Sequence, residues 1–201
     1  ILDGLVGSEM CIRDRNKYYP LSYLSLGTSH LFDGLDHILF IFGLLFCISG
    51  LLNIIKTITA FTIAHSITLG LTVFQIITLP QGTVEALIAL TIVYLALEIS
   101  RSDGEIKSPW IMAFSFGLLH GLGFASALID IGIDNNKMLL SLLFFNIGIE
   151  LAQIALIPIP ILVIYLSKKY NYLDNLKLLA SLCIGSFGFY WFIERVIGII
   201  L

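Results

Sequence analysis

All four histidines of this chain stand in or beside long apolar stretches. An ionisable side chain at the centre of a bilayer costs about 2.5–3.5 kcal/mol on insertion scales. A chain keeps several of them only where they face one another, water or an ion. The densest group is His30-Leu-Phe-Asp33-Gly-Leu-Asp36-His37. On one continuous helix His30, Asp33 and His37 stand at i, i+3 and i+7 and share a face. Asp36 is then turned about 100° from His37 and needs a partner helix to reach it. Imidazole with carboxylate suits nickel, zinc, iron or manganese better than calcium or magnesium. An interfacial helix with solvated polar residues gives the same spacing.

Three more groups lie inside apolar runs. His65 is central in Phe61-Thr-Ile-Ala-His65-Ser66-Ile-Thr68, where Thr62 or Thr68 can satisfy it locally. His120 is central in Phe116-Gly117-Leu-Leu-His120-Gly121-Leu-Gly123. The glycines there let a second helix come close or open room beside the imidazole. Asn146, Glu150 and Gln153, at i, i+4 and i+7, make one polar stripe on an apolar helix. An unpaired Glu150 in such a place is protonated or needs a cation. Together these residues describe a path across a membrane. Glu98, at one end of an apolar run, reads as an exit carboxylate or, in preference, as an interfacial residue paired to Arg101 at i+3, and Glu85 at the other end has the same two readings. Glu194 and Arg195 are expected to snorkel or pair with each other.

The elements that must hold these residues are transmembrane helices. The chain is 58% hydrophobic and 12% charged, and a soluble domain carries about twice that charged fraction. Its mean hydropathy of +0.97 makes lipid its natural solvent. The expected fold is an all-α bundle of about six transmembrane helices near 33–50, 56–78, 82–100, 109–129, 138–166 and 177–200. The fifth is too long for a straight span, and Pro158 and Pro160 predict a kink in it. Residues 20–32 either lie in the interface or extend the first helix. The 201 residues read as one domain, 16–201. Residues 1–15 show no helical or alternating pattern and resemble translated sequencing-adapter read-through. They are set aside as a non-native leader, with the native N-terminus and any signal peptide missing.

Charge gives orientation and excludes partners. Lys56, Arg101, Lys107, Lys168, Lys169 and Lys177 follow the first, third and fifth spans, against Lys17 and Lys137 on the other side. The positive-inside rule puts the first set in the cytoplasm and both termini outside, in a bacterial inner membrane. His30 to His37 then fall at the outer surface. The net charge of −3 is spread out and forms no basic stripe, which argues against nucleic acid. The three cysteines, Cys11, Cys47 and Cys183, suggest neither disulfides nor a thiolate site. A homo-oligomer is left open.

The ordered motifs resemble the HupE/UreJ family over nearly all of residues 20–201. They are Gly27-x-x-His30-x-x-x-Gly34-x-Asp36-His37, Phe61-Thr62-x-Ala64-His65-Ser66-x-Thr68-Leu69 and Val84-Glu85-Ala86-Leu87-Ile88-Ala89-Leu90. Then come Phe116-Gly117-Leu118-Leu119-His120-Gly121-x-Gly123-Phe124-Ala125, Phe145-Asn146-x-Gly148-x-Glu150-Leu151 and Trp191-Phe192-x-Glu194-Arg195. The resemblance implies a hydrogenase- or urease-linked membrane protein, with nickel as the first metal to test and zinc, cobalt and manganese behind it. It implies metal handling by His30, Asp36 and His37. The second histidine-rich motif of nickel-linked members is absent, and the stretch at His120 comes nearest to it.

Three functions compete. A divalent-metal permease would capture the ion at His30, Asp36 and His37. His65, His120, Asn146 and Glu150 would then replace part of its hydration at mid-membrane. A membrane assembly accessory would use the same groups as interhelical hydrogen-bond glue. An intramembrane metal-dependent hydrolase would hold zinc, with Ser66 and Ser126 nearby. Transport is preferred over enzymatic activity, because no HExxH-like pair is present and the histidines stand on separate helices. No nucleotide-binding loop is present, so coupling to ATP would need a partner.

Overall fold

A computed structural model describes residues 19–101, 106–124 and 137–201. The 1–15 leader, Lys17 and Ser126 lie outside the described residues. Those residues form eight helical segments, labelled α1 (Leu21–Asp33), α2 (Leu35–Phe46), α3 (Leu51–Val73), α4 (Gln81–Arg101), α5 (Pro109–Gly123), α6 (Met138–Leu156), α7 (Pro158–Lys169) and α8 (Leu173–Ile200). No strand occurs among them. The fold is an all-α membrane bundle.

The helices are long and apolar because their sequences leave the chain no other way to satisfy its backbone in lipid. Leu51–Val73, Gln81–Arg101, Met138–Lys169 and Leu173–Ile200 are each long and apolar enough to cross a membrane. The pair α1 and α2 passes the same test together and is bent by 73° at its break, the geometry of a broken span or a re-entrant loop, so the described residues hold four to five candidate spans. The expected sixth, near 109–129, is described as α5 only over its 15 residues to Gly123, about 22 Å of helix. The 138–166 span breaks where the prolines predict. Pro158 opens α7, and Ile157 joins it to α6.

The break at Gly34 corrects the single-face reading of His30, Asp33 and His37. Gly34 has ψ 94°, outside the helical range, and ends α1. A Cβ there would lie 2.8 Å from His37 Nδ1 and 3.0 Å from Asp36 Oδ1. α1 is packed on α6 and carries His30 one helix away from His37.

Three close helix pairs surround the short α2. In the α3–α5 pair, Gly117 and Gly121 lie on the backbone of Phe61 and His65. An added Cβ would press on Phe61 O at the first and on His65 O at the second. In the α1–α6 pair, Gly27 faces the Phe145 carbonyl while Gly148 faces that of Leu24. In the α4–α8 pair, Ser181 Oγ donates to Ala96 O at 2.8 Å. Small residues at interfaces let helices approach where lipid supplies no hydrophobic drive between them. The lipid side is apolar, and α8 buries only Ile184 and Gly188.

Two ends of the bundle can be told apart. At one end, Lys56 Nζ sits 4.6 Å over the Trp110 ring, and Ile106 N donates to Cys47 O. At the other, Gln81 Nε2 donates to Gly123 O at 2.6 Å, joining the start of α4 to the end of α5. So α5 runs the distance between the ends, beside α3.

Gly121→Ala should lower the thermal unfolding midpoint of the detergent-solubilised protein. A methyl pressed on backbone cannot be relieved by a rotamer change, and overpacking costs about 1–3 kcal/mol. Gly198→Ala, with nothing within 4 Å of its Cβ position, should leave that midpoint in place. Equal effects from the two would contradict the packing described.

Candidate metal centre

The break between α1 and α2 aims two histidines at one point. His30 comes from the last turn of α1 and His37 from the first turn of α2. α3 brings His65, and the glycine contact on α3 brings His120 from α5. One ring nitrogen from each of His30, His37 and His65 lies within 4.8 Å of the others. The His120 ring centre is 5.1 Å from that of His37. The outer His/Asp group and His65, separate stations on the expected path, therefore meet in one place, with His120 beside His37. That place is inside the bundle, since nine residues of α1 precede His30 and eight residues of α3 follow His65.

Hydrogen bonds on the far side of three rings define which nitrogen is free. His120 Nδ1–H donates to Phe116 O at 2.9 Å, one turn back on its own helix. His37 Nδ1–H donates to Asp36 Oδ1 at 3.1 Å. His65 Nδ1–H donates to Asn146 Oδ1 at 3.2 Å, while Asn146 Nδ2 donates to Leu142 O at 2.8 Å. Carbonyl and carboxylate oxygens only accept, so the ring proton sits on Nδ1 and Nε2 carries a bare lone pair.

Those lone pairs have nowhere to go within the protein. The Nε2 atoms of His30, His37, His65 and His120 are all buried without a hydrogen-bond partner. No other buried side-chain nitrogen or oxygen among the described residues is in that position. An unsatisfied buried acceptor costs about 1–3 kcal/mol, so the three lone pairs of His37, His65 and His120, with the unpartnered His30 Nε2 beside them, form a strained cluster unless something accepts their electrons. A Lewis acid does so. Oxygen partners behind ligating imidazoles are the usual outer shell of such a centre.

A cavity of about 320 Å³ reaches the cluster. His30, His37 and His120 line its inner part, with Gly34 and Ile92 between helices. Asp33, Asp36, Glu85, Trp191 and Arg195 line it as well. His65 is not among its lining residues and is fully buried behind the others. Arg195 Nε lies 2.8 Å from Glu85 Oε2, so Arg195 pairs with α4 and not with neighbouring Glu194. This pair was missed in sequence, where the two residues stand 110 positions apart. Their only signal was ionisable character at the ends of apolar runs.

The remaining candidates lie outside the cluster. Asp33 is exposed, on the cavity wall. Asp36 and Asn146 stand behind His37 and His65. Glu150 accepts a hydrogen bond from Thr59 Oγ1, and Gln153 Oε1 accepts one from Thr62 Oγ1 at 2.9 Å. The polar stripe of α6 thus faces α3 on the side of the cluster nearer Lys56. Ser66 Oγ donates to Thr62 O in its own helix. Glu98 forms no ion pair with Arg101 among the described residues.

Residues 7–195 match the family model described as HupE / UreJ protein. The chain belongs to the HupE/UreJ family. The match begins inside the segment that reads as a leader. No curated protein and no solved structure matches the chain. This HupE/UreJ protein is an integral membrane protein, and the histidines of its ordered motifs are the ones gathered at the centre.

Cobalt(II) titrations of the purified protein should separate ligands from the groups behind them. Asn146→Leu and Asp36→Ala should each weaken binding about 10–100-fold, the usual effect of losing an outer-shell partner. A Glu194→Gln control should not. Unchanged affinity in both outer-shell variants would mean that their hydrogen bonds do not orient a metal ligand.

Proposed function

We propose that this HupE/UreJ protein binds a divalent transition-metal ion at His30, His37, His65 and His120 and carries it across the membrane as a permease. The observation that carries the reading is the set of four buried, unpartnered Nε2 atoms at the inner end of an open cavity. Three of the rings are held in the tautomer that coordinates a cation. Neutral imidazoles with no thiolate suit nickel, cobalt or zinc, with manganese less favoured. Nickel ranks first because of the family resemblance. Asp36 and Asn146 position the ligands, and Asp33 and Asp36 make the cavity attractive to cations, Glu85 being balanced by Arg195. Glu150 is the next carboxylate beyond the site.

Broken transmembrane helices with a substrate site near mid-bilayer are a recurrent transporter design, and the α1–α2 break at Gly34 fits it. The cavity mouth is at the end away from Lys56 and Lys107, so the positive-inside rule puts it outside the cytoplasm of a bacterial inner membrane. Both termini then face outward.

The closeness of the four imidazoles favours a second reading, in which the ion is resident and serves catalysis. A resident ion survives exhaustive dialysis at one per chain, whereas cargo exchanges. Elemental analysis of purified wild type beside His65→Ala, with uptake of labelled nickel or cobalt into proteoliposomes, tests both. Wild type should accumulate metal at least tenfold over empty liposomes, and His37→Ala and His65→Ala should not. Uptake undiminished in both variants refutes transport through this site.

A further inference from the structure

Each of three histidines at the centre has a phenylalanine one turn away on its own helix, always on the same side. Phe40 follows His37 on α2, Phe61 precedes His65 on α3, and Phe116 precedes His120 on α5. α2 runs toward Cys47, and α3 and α5 start at that same end, where Lys56 lies over Trp110. All three phenylalanines are therefore displaced from the histidines away from the cavity mouth.

The three rings meet. Phe40 and Phe61 centres are 5.1 Å apart, and Phe40 and Phe116 centres 5.9 Å. They also touch the imidazoles above them, Phe61 at 5.2 Å and Phe40 at 5.6 Å from His120. Phe40 and Phe61 are 2% and 1% exposed, so no water column passes between them. None of the three lines the cavity, which ends at the imidazoles. Leu44, Ile58 and Ala113 are buried one turn further on. Polar groups resume beside this layer on α3, at Thr57, Thr59 with Glu150, and Thr62 with Gln153.

We propose that Phe40, Phe61 and Phe116 form the closed inner gate of the passage, so that this conformation is open to the cavity side and sealed toward the Lys56 end. The proposal rests on the transport reading above. An apolar constriction excludes a hydrated cation by dewetting, without charged residues. The imidazoles strip the ion's water directly above the layer. The ion leaves when the three rings part, toward the hydroxyls and Glu150 of the α3–α6 seam. Because the phenylalanines share helices with the ligands, drawing the imidazoles onto an ion moves the gate with them.

Cysteine accessibility tests the gate whether or not metal is transported. The background replaces Cys11, Cys47 and Cys183 with serine. Thr57→Cys reports from beyond the layer, and Leu35→Cys reports from the exposed cavity wall. A membrane-impermeant thiol reagent is added on the cavity side of proteoliposomes. With the phenylalanines intact, Leu35→Cys should label at least tenfold faster than Thr57→Cys. Phe61→Ala, or Phe116→Ala where Phe61→Ala folds poorly by circular dichroism, should raise labelling of Thr57→Cys at least tenfold. Phe61→Trp should keep cobalt binding and lose uptake. Equal labelling at both positions with the layer intact overturns the proposal, and so does wild-type uptake by Phe61→Trp. A protein that binds no metal but shows the labelling difference would keep the seal and remove the transport reading beneath it.

Discussion

Four unpartnered imidazole nitrogens, three of them with bare lone pairs, gathered away from water, set the terms for the rest of this molecule. A single buried histidine in a helix bundle normally finds a hydroxyl or a carbonyl. Here three of the rings do so, but with the wrong nitrogen for self-satisfaction. Asp36, Asn146 and the Phe116 carbonyl each accept the Nδ1–H bond and leave Nε2 buried without a partner. Apolar side chains at the same positions would avoid the cost of about 1–3 kcal/mol per orphaned group. Keeping the arrangement makes sense for a protein that meets a cation there.

Bringing the four rings together demands backbone contact that ordinary side chains would prevent. Gly117 and Gly121 let α5 lie on α3, and Gly27 and Gly148 let α1 lie on α6. Gly34 ends α1, so that His30 and His37 come from two directions onto one centre. The glycines are thus part of the site, although none offers a ligand atom. A bundle held apart by alanine or leucine at those positions would carry the same histidines too far apart to share an ion.

The same geometry separates a wet side from a dry one. The cavity is walled by Asp33, Asp36 and Glu85 and stops at the imidazoles. One helical turn further, three phenylalanines and then aliphatic residues fill the space. In the proposed transport, a cation entering from the cavity would meet the imidazoles before the barrier, the order of groups that a selective membrane passage requires.

Composition and periodicity alone determined that this chain lives in lipid, that it is all helix, and that Pro158 and Pro160 interrupt one long span. These follow from local chemistry: apolar runs of spanning length, and a proline ring that cannot donate to a helix. Spacing also singled out His30, His37, His65 and His120 as misplaced in an apolar chain. It could not show that they converge, because residues up to 90 positions apart meet only through helix packing. The single-face reading of His30, Asp33 and His37 failed at Gly34, which leaves the helical range and whose missing side chain makes room for Asp36 and His37. The Glu85–Arg195 pair and the phenylalanine layer were likewise decided by tertiary structure. Each joins side chains from different helices, and a sequence records the order of residues on a helix but not which neighbour that helix will face.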